Sequence, residues 1–124
     1  MLKMIIAGGR DFNDYGLLLD YMNLLEPDLA FFNGAEQTGL EIVSGACRGA
    51  DALGERFARE FDLQITQFPA DWAAYGKSAG PRRNRLMADY ADVLVAFWDG
   101  KSRGTKHMID TARNAGLEVH VFEY

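Results

Sequence analysis

The chain has 124 residues, 48% of them hydrophobic and 25% charged, with a formal net charge of −5. This length and hydrophobic content predict one folded domain over residues 1–124 and exclude intrinsic disorder. The acidic balance argues against duplex nucleic acid as the partner, because such binding draws most of its affinity from neutralised phosphates. The sequence therefore indicates a small, acidic, folded domain whose partner is not duplex nucleic acid.

Cysteine, histidine and hydropathy patterns limit the chemistry and the location. The single cysteine, Cys47, excludes an internal disulfide and a zinc site of several cysteines. His107 and His120 lie far apart in sequence, so we predict no metal site and no cofactor, and assign His107 no role. No apolar run approaches the roughly 20 residues of a membrane helix, and residues 2–7 are too short for the core of a signal peptide. We expect a cytoplasmic protein with no membrane partner.

Strand-like and helix-like segments alternate along the chain. Short apolar runs at 3–7, 41–44, 63–68, 92–97 and 119–124 are typical of buried parallel strands. Four helices are predicted: from Asn13 or Asp14 to Pro27, over 49–61, from Pro81 to about residue 90, and over 105–114. Gly116 is predicted to end the last of these helices. Residues 28–39 and 70–80 are predicted loops. This order predicts a Rossmann-like, doubly wound α/β domain: one mostly parallel sheet with helices on both faces.

Three predicted strands run into glycine-bearing turns, which would meet at the carboxyl edge of the sheet. Glycine lets backbone N–H groups approach an anion there, and helix N-termini add partial positive charge. Any one such turn is explained equally well by a structural corner, whereas three at one edge favour a binding site. The predicted ligand-binding residues of these turns are Gly8, Gly9, Arg10, Asp11, Ser44, Gly45, Arg48, Gly49, Asp51, Gly104 and Thr105.

Residues 77–106 are basic in an otherwise acidic chain, with seven lysines and arginines against three aspartates. A solvated helix face would explain such a run. However, these cations lie at predicted helix starts, where they oppose the helix dipole, and this position favours a bound anion. Because the guanidinium fork suits phosphate, Arg82 and Arg83 are also predicted ligand-binding residues.

Several residues near this edge have two interpretations each. Asp51 would either accept hydrogen bonds from ribose hydroxyls or stabilise the start of its helix, and Ser44 would either bind a phosphate or base or satisfy its own turn. Trp72 and Tyr75 would stack on a base or belong to the core. Cys47 would be a nucleophile at a helix N-terminus or, as no histidine partner is evident, a small buried residue.

The motifs resemble those of the SLOG superfamily, which is named after the Smf/DprA and lonely-guy proteins. Arg83-Asn84-Arg85-Leu86-Met87, followed by an apolar strand and Gly104-Thr105, is similar to the lonely-guy pattern R-K-x-x-M and P-G-G-x-G-T-x-x-E. The segments Gly8-Gly9-Arg10-Asp11-Phe12, 43–51 and 80–87 resemble YspA-like members more closely. The resemblance implies a Rossmann-like fold and a nucleotide or nucleotide-derived ligand, such as a relative of ADP-ribose.

One departure separates the chain from the lonely-guy enzymes, which hydrolyse the N-glycosidic bond of nucleoside monophosphates. Arg83 matches their arginine, but their glutamate position holds Met108, which cannot act as an acid, a base or a charge. The loop before Gly104 is also two residues longer. The resemblance thus implies the ligand class without the reaction, and Arg83, Asp99 and Asp110 are the candidate catalytic residues.

Three functions stay open at this point. The first is binding of a nucleotide or nucleotide-derived small molecule, and the second is phosphoribohydrolase activity with a displaced carboxylate. The third is single-stranded DNA binding, as in Smf/DprA, with Trp72 or Trp98 stacking on bases. The net charge and the small size favour the third least.

The first predicted helix has apolar residues on more than one face, whereas a helix on a sheet needs a single stripe. The surplus predicts a second contact. Its two interpretations are a homodimer, as in the lonely-guy relatives, and cover from residues 29–32 of the same chain. The apolar residues of this helix are Leu17, Leu18, Leu19, Tyr21, Met22, Leu24 and Leu25.

Overall fold

The fold was examined in a computed structural model, which describes residues 1–29 and 39–124. Most of the predicted loop 28–39, and residues 30–32 of the predicted cover, lie outside the described residues. The elements in chain order are β1 (Leu2–Gly8), α1 (Tyr15–Leu29), β2 (Leu40–Ser44), α2 (Ala50–Glu60), β3 (Gln64–Gln67), α3 (Trp72–Tyr75), a 3₁₀ turn (Gly76–Ser78), α4 (Ala79–Tyr90), β4 (Val93–Trp98), α5 (Arg103–Asn114) and β5 (Glu118–Glu123).

The strands form one parallel sheet in the order β3-β2-β1-β4-β5. The chain builds outward from β1 through β2 to β3, then returns to place β4 on the other side of β1. The strand order therefore reverses between β1 and β4, and a crevice opens at their carboxyl ends. The predicted α/β fold with a parallel sheet is confirmed.

Alternation along the strands divides the core into two layers. In β1, Met4 and Ile6 pack with residues of α1 and α2, whereas Ile5 and Ala7 pack with residues of α4 and α5. Helices thus cover both faces, as predicted. The central β1 and β4 are almost wholly buried, which explains their continuous apolar runs.

Two helix boundaries predicted from proline are wrong. α1 continues through Pro27 to Leu29, because a proline in the last turn removes a single N–H bond without interrupting the turns before it. α4 begins at Ala79, two residues before Pro81. The first four N–H groups of a helix have no partner within it, so Pro81 costs α4 no hydrogen bond.

Two further boundaries are set by side-chain caps that sequence periodicity does not reveal. The predicted loop 70–80 contains α3, whose first turn is capped by Asp71 accepting from the Ala74 N–H at 3.1 Å. α5 begins at Arg103, two residues before the predicted Thr105, because Ser102 is its N-cap. The predicted start of α1 is confirmed: Asp14 accepts from the Leu17 N–H at 3.0 Å.

The apolar residues of α1 divide into a buried stripe and a remainder. Leu18, Met22 and Leu25 are buried in the core, and the others are half-buried except Leu24, which is 64% exposed. We propose that Leu24 belongs to a homodimer contact. Because exposed leucines are also common on monomers, the oligomeric state in solution is the measurement that distinguishes the two.

We expect the purified protein to be a dimer by light scattering and Leu24→Glu to be a monomer. The change removes an apolar contact and places two like charges together across a symmetric interface. The control is Leu86→Glu on α4, a leucine that is 58% exposed, which should leave the mass unchanged. A monomeric native protein at micromolar concentration would reject the dimer.

Candidate functional site

A cleft of about 870 Å³ opens at the carboxyl ends of β1 and β4, where the strand order reverses. Its size is within the range of small-molecule sites, roughly 300–1,000 Å³. The turns after β1, β2 and β4 and the starts of α4 and α5 form its walls. The predicted residues that line it are Gly8, Gly9, Arg10, Asp11, Arg48, Asp51, Arg83, Asp99, Gly104 and Thr105.

The floor of the cleft is a close backbone contact that only glycine allows. A Cβ on Gly8 would lie 2.2 Å from the Phe97 carbonyl oxygen, and a Cβ on Gly49 would lie 2.2 Å from the Gly9 oxygen. Gly49 also has φ +81°, a conformation that side chains disfavour. The Gly9 oxygen accepts from the Ala50 N–H at 3.1 Å, which joins the β1 turn to the first residue of α2.

Three predicted binding residues shape the wall without lining the cleft. The buried Ser44 hydroxyl donates to Glu55 at 2.6 Å and accepts from the Ala46 N–H at 3.0 Å, so it satisfies its own turn. Gly45 makes room: a Cβ there would lie 2.6 Å from Nη1 of Arg83. Gly49 packs against the backbone of Gly9, where a Cβ would not fit.

Arg83 reaches from α4 across the cleft to the turn after β2. Its Nη1 donates to the Gly45 carbonyl at 2.6 Å, and its Nε donates to Oδ1 of Asn84 at 3.0 Å. The same Nη1 lies 3.7 Å from Sγ of the half-buried Cys47. Because a guanidinium has five N–H donors, these bonds fix the side chain and still leave donors for a ligand.

Asp51 is a buried carboxylate on the same wall, only 6% exposed. Its Oδ2 accepts from the Cys47 N–H at 3.2 Å. Burial raises the pKa of Asp51 to about 6, and the opposing effects of the Cys47 N–H and the Arg83 charge do not cancel it. The fold thus keeps a carboxylate in the cleft lining at a cost in stability.

The opposite wall is the loop between β4 and α5. Asp99 accepts from the Lys101 and Ser102 N–H groups at 2.8 Å each, which lowers the pKa of Asp99. Trp98 Nε1 donates to the Ser102 carbonyl at 3.1 Å. These bonds fix the loop, so that Arg103 and the first turn of α5 face the cleft.

Two further predicted residues, Arg82 and Asp110, also lie outside the cleft lining. The Arg82 guanidinium lies 4.4 Å from the ring centre of Tyr75, and its Nε donates to Ser78 at 3.2 Å. Asp110 forms an exposed ion pair with Lys106 at 2.7 Å, a contact that lowers the pKa of Asp110. The partners of Arg82 lie on α3 and the 3₁₀ turn, and the partner of Asp110 lies on its own helix, α5.

Trp72 and Tyr75, the two aromatic residues predicted near this edge, differ in their positions. Trp72 is 48% exposed and lines the cleft, whereas Tyr75 is 51% exposed and is not in the lining. The interpretation of either ring as a core residue is therefore wrong. Trp72 keeps the position from which a base could be stacked.

Sequence reasoning missed several lining residues. Of the seven basic residues at 77–106, Arg83 and Arg103 line the cleft, and Arg10 and Arg48 supply its other two guanidinium groups. Arg103 was visible only as a member of the basic run, because its place in the first turn of α5 depends on the Ser102 cap. Other lining residues without a predicted binding role are Ala7, Cys47, Gly80, Pro81, Asn84, Met87, Ser102, His107 and Met108.

Within residues 1–29 and 39–124, the chain has neither a metal-ligand cluster nor a membrane-spanning helix. No cluster of three or more histidine, cysteine, aspartate or glutamate residues has the geometry to hold a metal ion in this part of the chain. Among the same residues, no helix is both long and apolar enough to span a membrane.

Comparison with known proteins identifies the family. Residues 2–75 match the YspA, cpYpsA-related SLOG family, a segment that includes the turns after β1 and β2. The Gene 61 protein of Mycobacterium phage D29 is 40% identical to this chain in an alignment of length 125, and the alignment covers 96% of this chain and 94% of that protein. The chain belongs to the YspA, cpYpsA-related SLOG family, and the resemblance noted in its motifs is confirmed.

The raised pKa of Asp51 predicts a pH-dependent stability. Since the folded state binds this proton more tightly than the unfolded chain, stability is lost as pH rises from about 4 to about 6, by about 3 kcal/mol. Asp51→Asn should abolish this loss in urea unfolding measured across that range. The control Asp110→Asn, at an exposed carboxylate, should retain it, and an unchanged pH profile in Asp51→Asn would contradict the assignment.

Proposed function

We propose that the protein binds a nucleotide or a nucleotide-derived small molecule in the cleft between the β1 and β4 turns. The observation that carries this is the convergence of four arginines, Arg10, Arg48, Arg83 and Arg103, on one cleft at the switch point of a parallel sheet. Such a concentration of guanidinium groups suits a ligand with phosphate groups. Membership of the SLOG family supports the same ligand class.

The cleft offers distinct surroundings for the parts of such a ligand. A phosphate fits against the Gly8-Gly9 turn, where no side chain intervenes, and against the start of α5 at Gly104 and Thr105, where the helix dipole favours an anion. Asp51 is positioned to accept hydrogen bonds from ribose hydroxyls. Trp72, at the margin of the cleft, provides the flat apolar surface that a base requires.

Single-stranded DNA binding has less support in the geometry. Trp98, one of the two tryptophans expected to stack on bases, packs against the core layer of α4 and α5 and donates its N–H to the Ser102 carbonyl. The indole of Trp98 therefore stabilises the loop before α5, and we do not propose that it stacks on a base. A small-molecule ligand accounts for the remaining features without it.

We expect Arg83→Ala to weaken binding of AMP or ADP-ribose by about 1.5–3 kcal/mol, the loss of a charge-assisted hydrogen bond. The matched control is Arg82→Ala, which removes the same charge one residue away but outside the cleft. Isothermal titration calorimetry on both variants, with folding checked by circular dichroism, separates a direct contact from general charge. Equal weakening in both would reject the site, and a native protein that binds neither compound would reject the proposed function.

The phosphoribohydrolase alternative depends on Met108, which is 2% exposed and lines the cleft. A glycosidic transition state gains charge on the sugar, and a carboxylate stabilises that charge. Methionine offers only an apolar, polarisable surface. We propose that the native cleft binds without hydrolysing.

The test is release of free base from nucleoside monophosphates, followed by chromatography. The native protein should release none above background, because loss of one preorganised electrostatic group typically costs about 10²–10³ in rate. Met108→Glu would show whether a carboxylate at this position restores turnover. Rapid release by the native protein would contradict the proposal and point to Asp99, the remaining candidate carboxylate in the cleft lining.

A further inference from the structure

We propose that His107 contacts the ligand as a neutral imidazole, locked in the tautomer that carries its proton on Nε2 and donating that N–H to a ligand oxygen. The inference rests on the proposed function for the ligand itself, but the tautomer follows from the protein alone. His107 is half-buried, lies on α5 and lines the cleft. Its state is set by a chain of hydrogen bonds that begins at Arg83.

The first step fixes the orientation of Asn84, which is 6% exposed. The Nε of Arg83 lies 3.0 Å from the Asn84 amide group. An arginine Nε–H can only donate, so the amide atom facing it is the oxygen, Oδ1. The amide nitrogen, Nδ2, is thereby turned to the other side.

The second step fixes the proton on His107. Nδ2 of Asn84 lies 3.1 Å from Nδ1 of the histidine. An amide NH₂ group can only donate, so Nδ1 is the acceptor and carries no proton. The Thr111 hydroxyl, 3.4 Å from the same Nδ1, is placed to donate to it as well. A neutral ring with an unprotonated Nδ1 has its N–H at Nε2.

The surrounding charges keep the ring neutral near pH 7. Burial lowers the pKa of His107, and the positive charge of Arg85 on α4 lowers it further, while Asp110 on α5 acts weakly in the opposite sense. Protonation would also require a proton at Nδ1, where Asn84 donates. Charging the ring would therefore break a hydrogen bond as well as add a cation near the arginines.

A neutral donor has a different use from the four arginines that line the cleft. It satisfies an acceptor without adding charge, so it suits a phosphoryl or hydroxyl oxygen beside the start of α5. The Asn84 contact couples this donor to Arg83, which we place at the phosphate. The two side chains thus form one polar unit through a buried amide.

The first test needs no ligand. The chain has two histidines, so a ¹⁵N-detected NMR spectrum contains two imidazole spin systems, and His120→Ala assigns them. We expect His107 to show an unprotonated Nδ1 and a protonated Nε2 between pH 6.5 and 8. A ring protonated at Nδ1, or charged at pH 7, would overturn the proposal.

A variant at the relay residue checks the cause. Asn84→Asp replaces the donor with an acceptor, so the ring should become protonated at Nδ1 and its titration should move to higher pH. Thr111→Val, which removes the longer contact, should leave the Nε2 tautomer in place. An unchanged tautomer in folded Asn84→Asp would show that the relay does not set it.

The second test measures binding of AMP and ADP-ribose by calorimetry. His107→Ala should weaken binding about 3–10-fold, the range for loss of one neutral hydrogen bond, whereas His120→Ala, outside the cleft lining, should not. Unchanged affinity in His107→Ala would overturn the contact. A native protein that binds neither compound would instead overturn the proposed function, and the NMR result would still decide the tautomer.

Discussion

The architecture of the cleft depends on the backbone N–H and carbonyl of Gly9. Its N–H donates to the Phe97 carbonyl at 3.1 Å, and its carbonyl accepts from Phe12 at 3.2 Å and from Ala50 at 3.1 Å. One residue therefore joins the end of β1 to β4 and to the start of α2. These elements approach at the point where the strand order reverses, and the absence of side chains at Gly8 and Gly49 allows the distance. Any ligand in the crevice would lie above this contact.

One charge of the cleft, that of Asp51, has an energetic cost that its protein partners do not recover. Four arginines line it against three aspartates, Asp11, Asp51 and Asp99. Asp99 is bonded to its own loop, and Asp11 accepts from the Tyr124 hydroxyl at 2.6 Å. The buried Asp51 has a pKa raised to about 6 in spite of the Arg83 charge. A buried carboxylate with a raised pKa is expected where the residue is retained for function rather than for stability.

A comparison with Glu41 shows why burial alone does not mark a site. Glu41 is 3% exposed on β2 and accepts hydrogen bonds from the Thr66 hydroxyl at 2.9 Å and from the Tyr90 hydroxyl. Its partners come from β3 and α4, and it does not line the cleft. Glu41 thus serves the packing of the sheet against α4. Asp51 differs because its carboxylate faces a cavity large enough for a ligand.

Sequence reasoning predicted the strands, the fold and the turns after β1, β2 and β4, because these depend on local signals: apolar runs and glycines. It failed at boundaries set by side-chain caps, such as Ser102, and hence at the placement of Arg103. It also assigned no role to His107, since the bond to Asn84 forms only when α4 and α5 pack together. The spacing of residues along the chain does not predict that contact. Arg82 and Asp110 were selected on charge alone, and the structure gives their side chains partners outside the cleft.

The same distinction explains why the family motif is informative about the ligand and less so about a reaction. The glycine turns and Arg83 are the residues that we propose bind an anion, and the longer loop before α5 is fixed locally by the Asp99 bonds. A reaction requires one more group at one position, and there the chain has Met108, buried and apolar. Met87 of α4 also lines the cleft and is equally buried. The cleft is therefore apolar at the position where the resembled hydrolases have their glutamate, and this difference is the basis for proposing binding without hydrolysis.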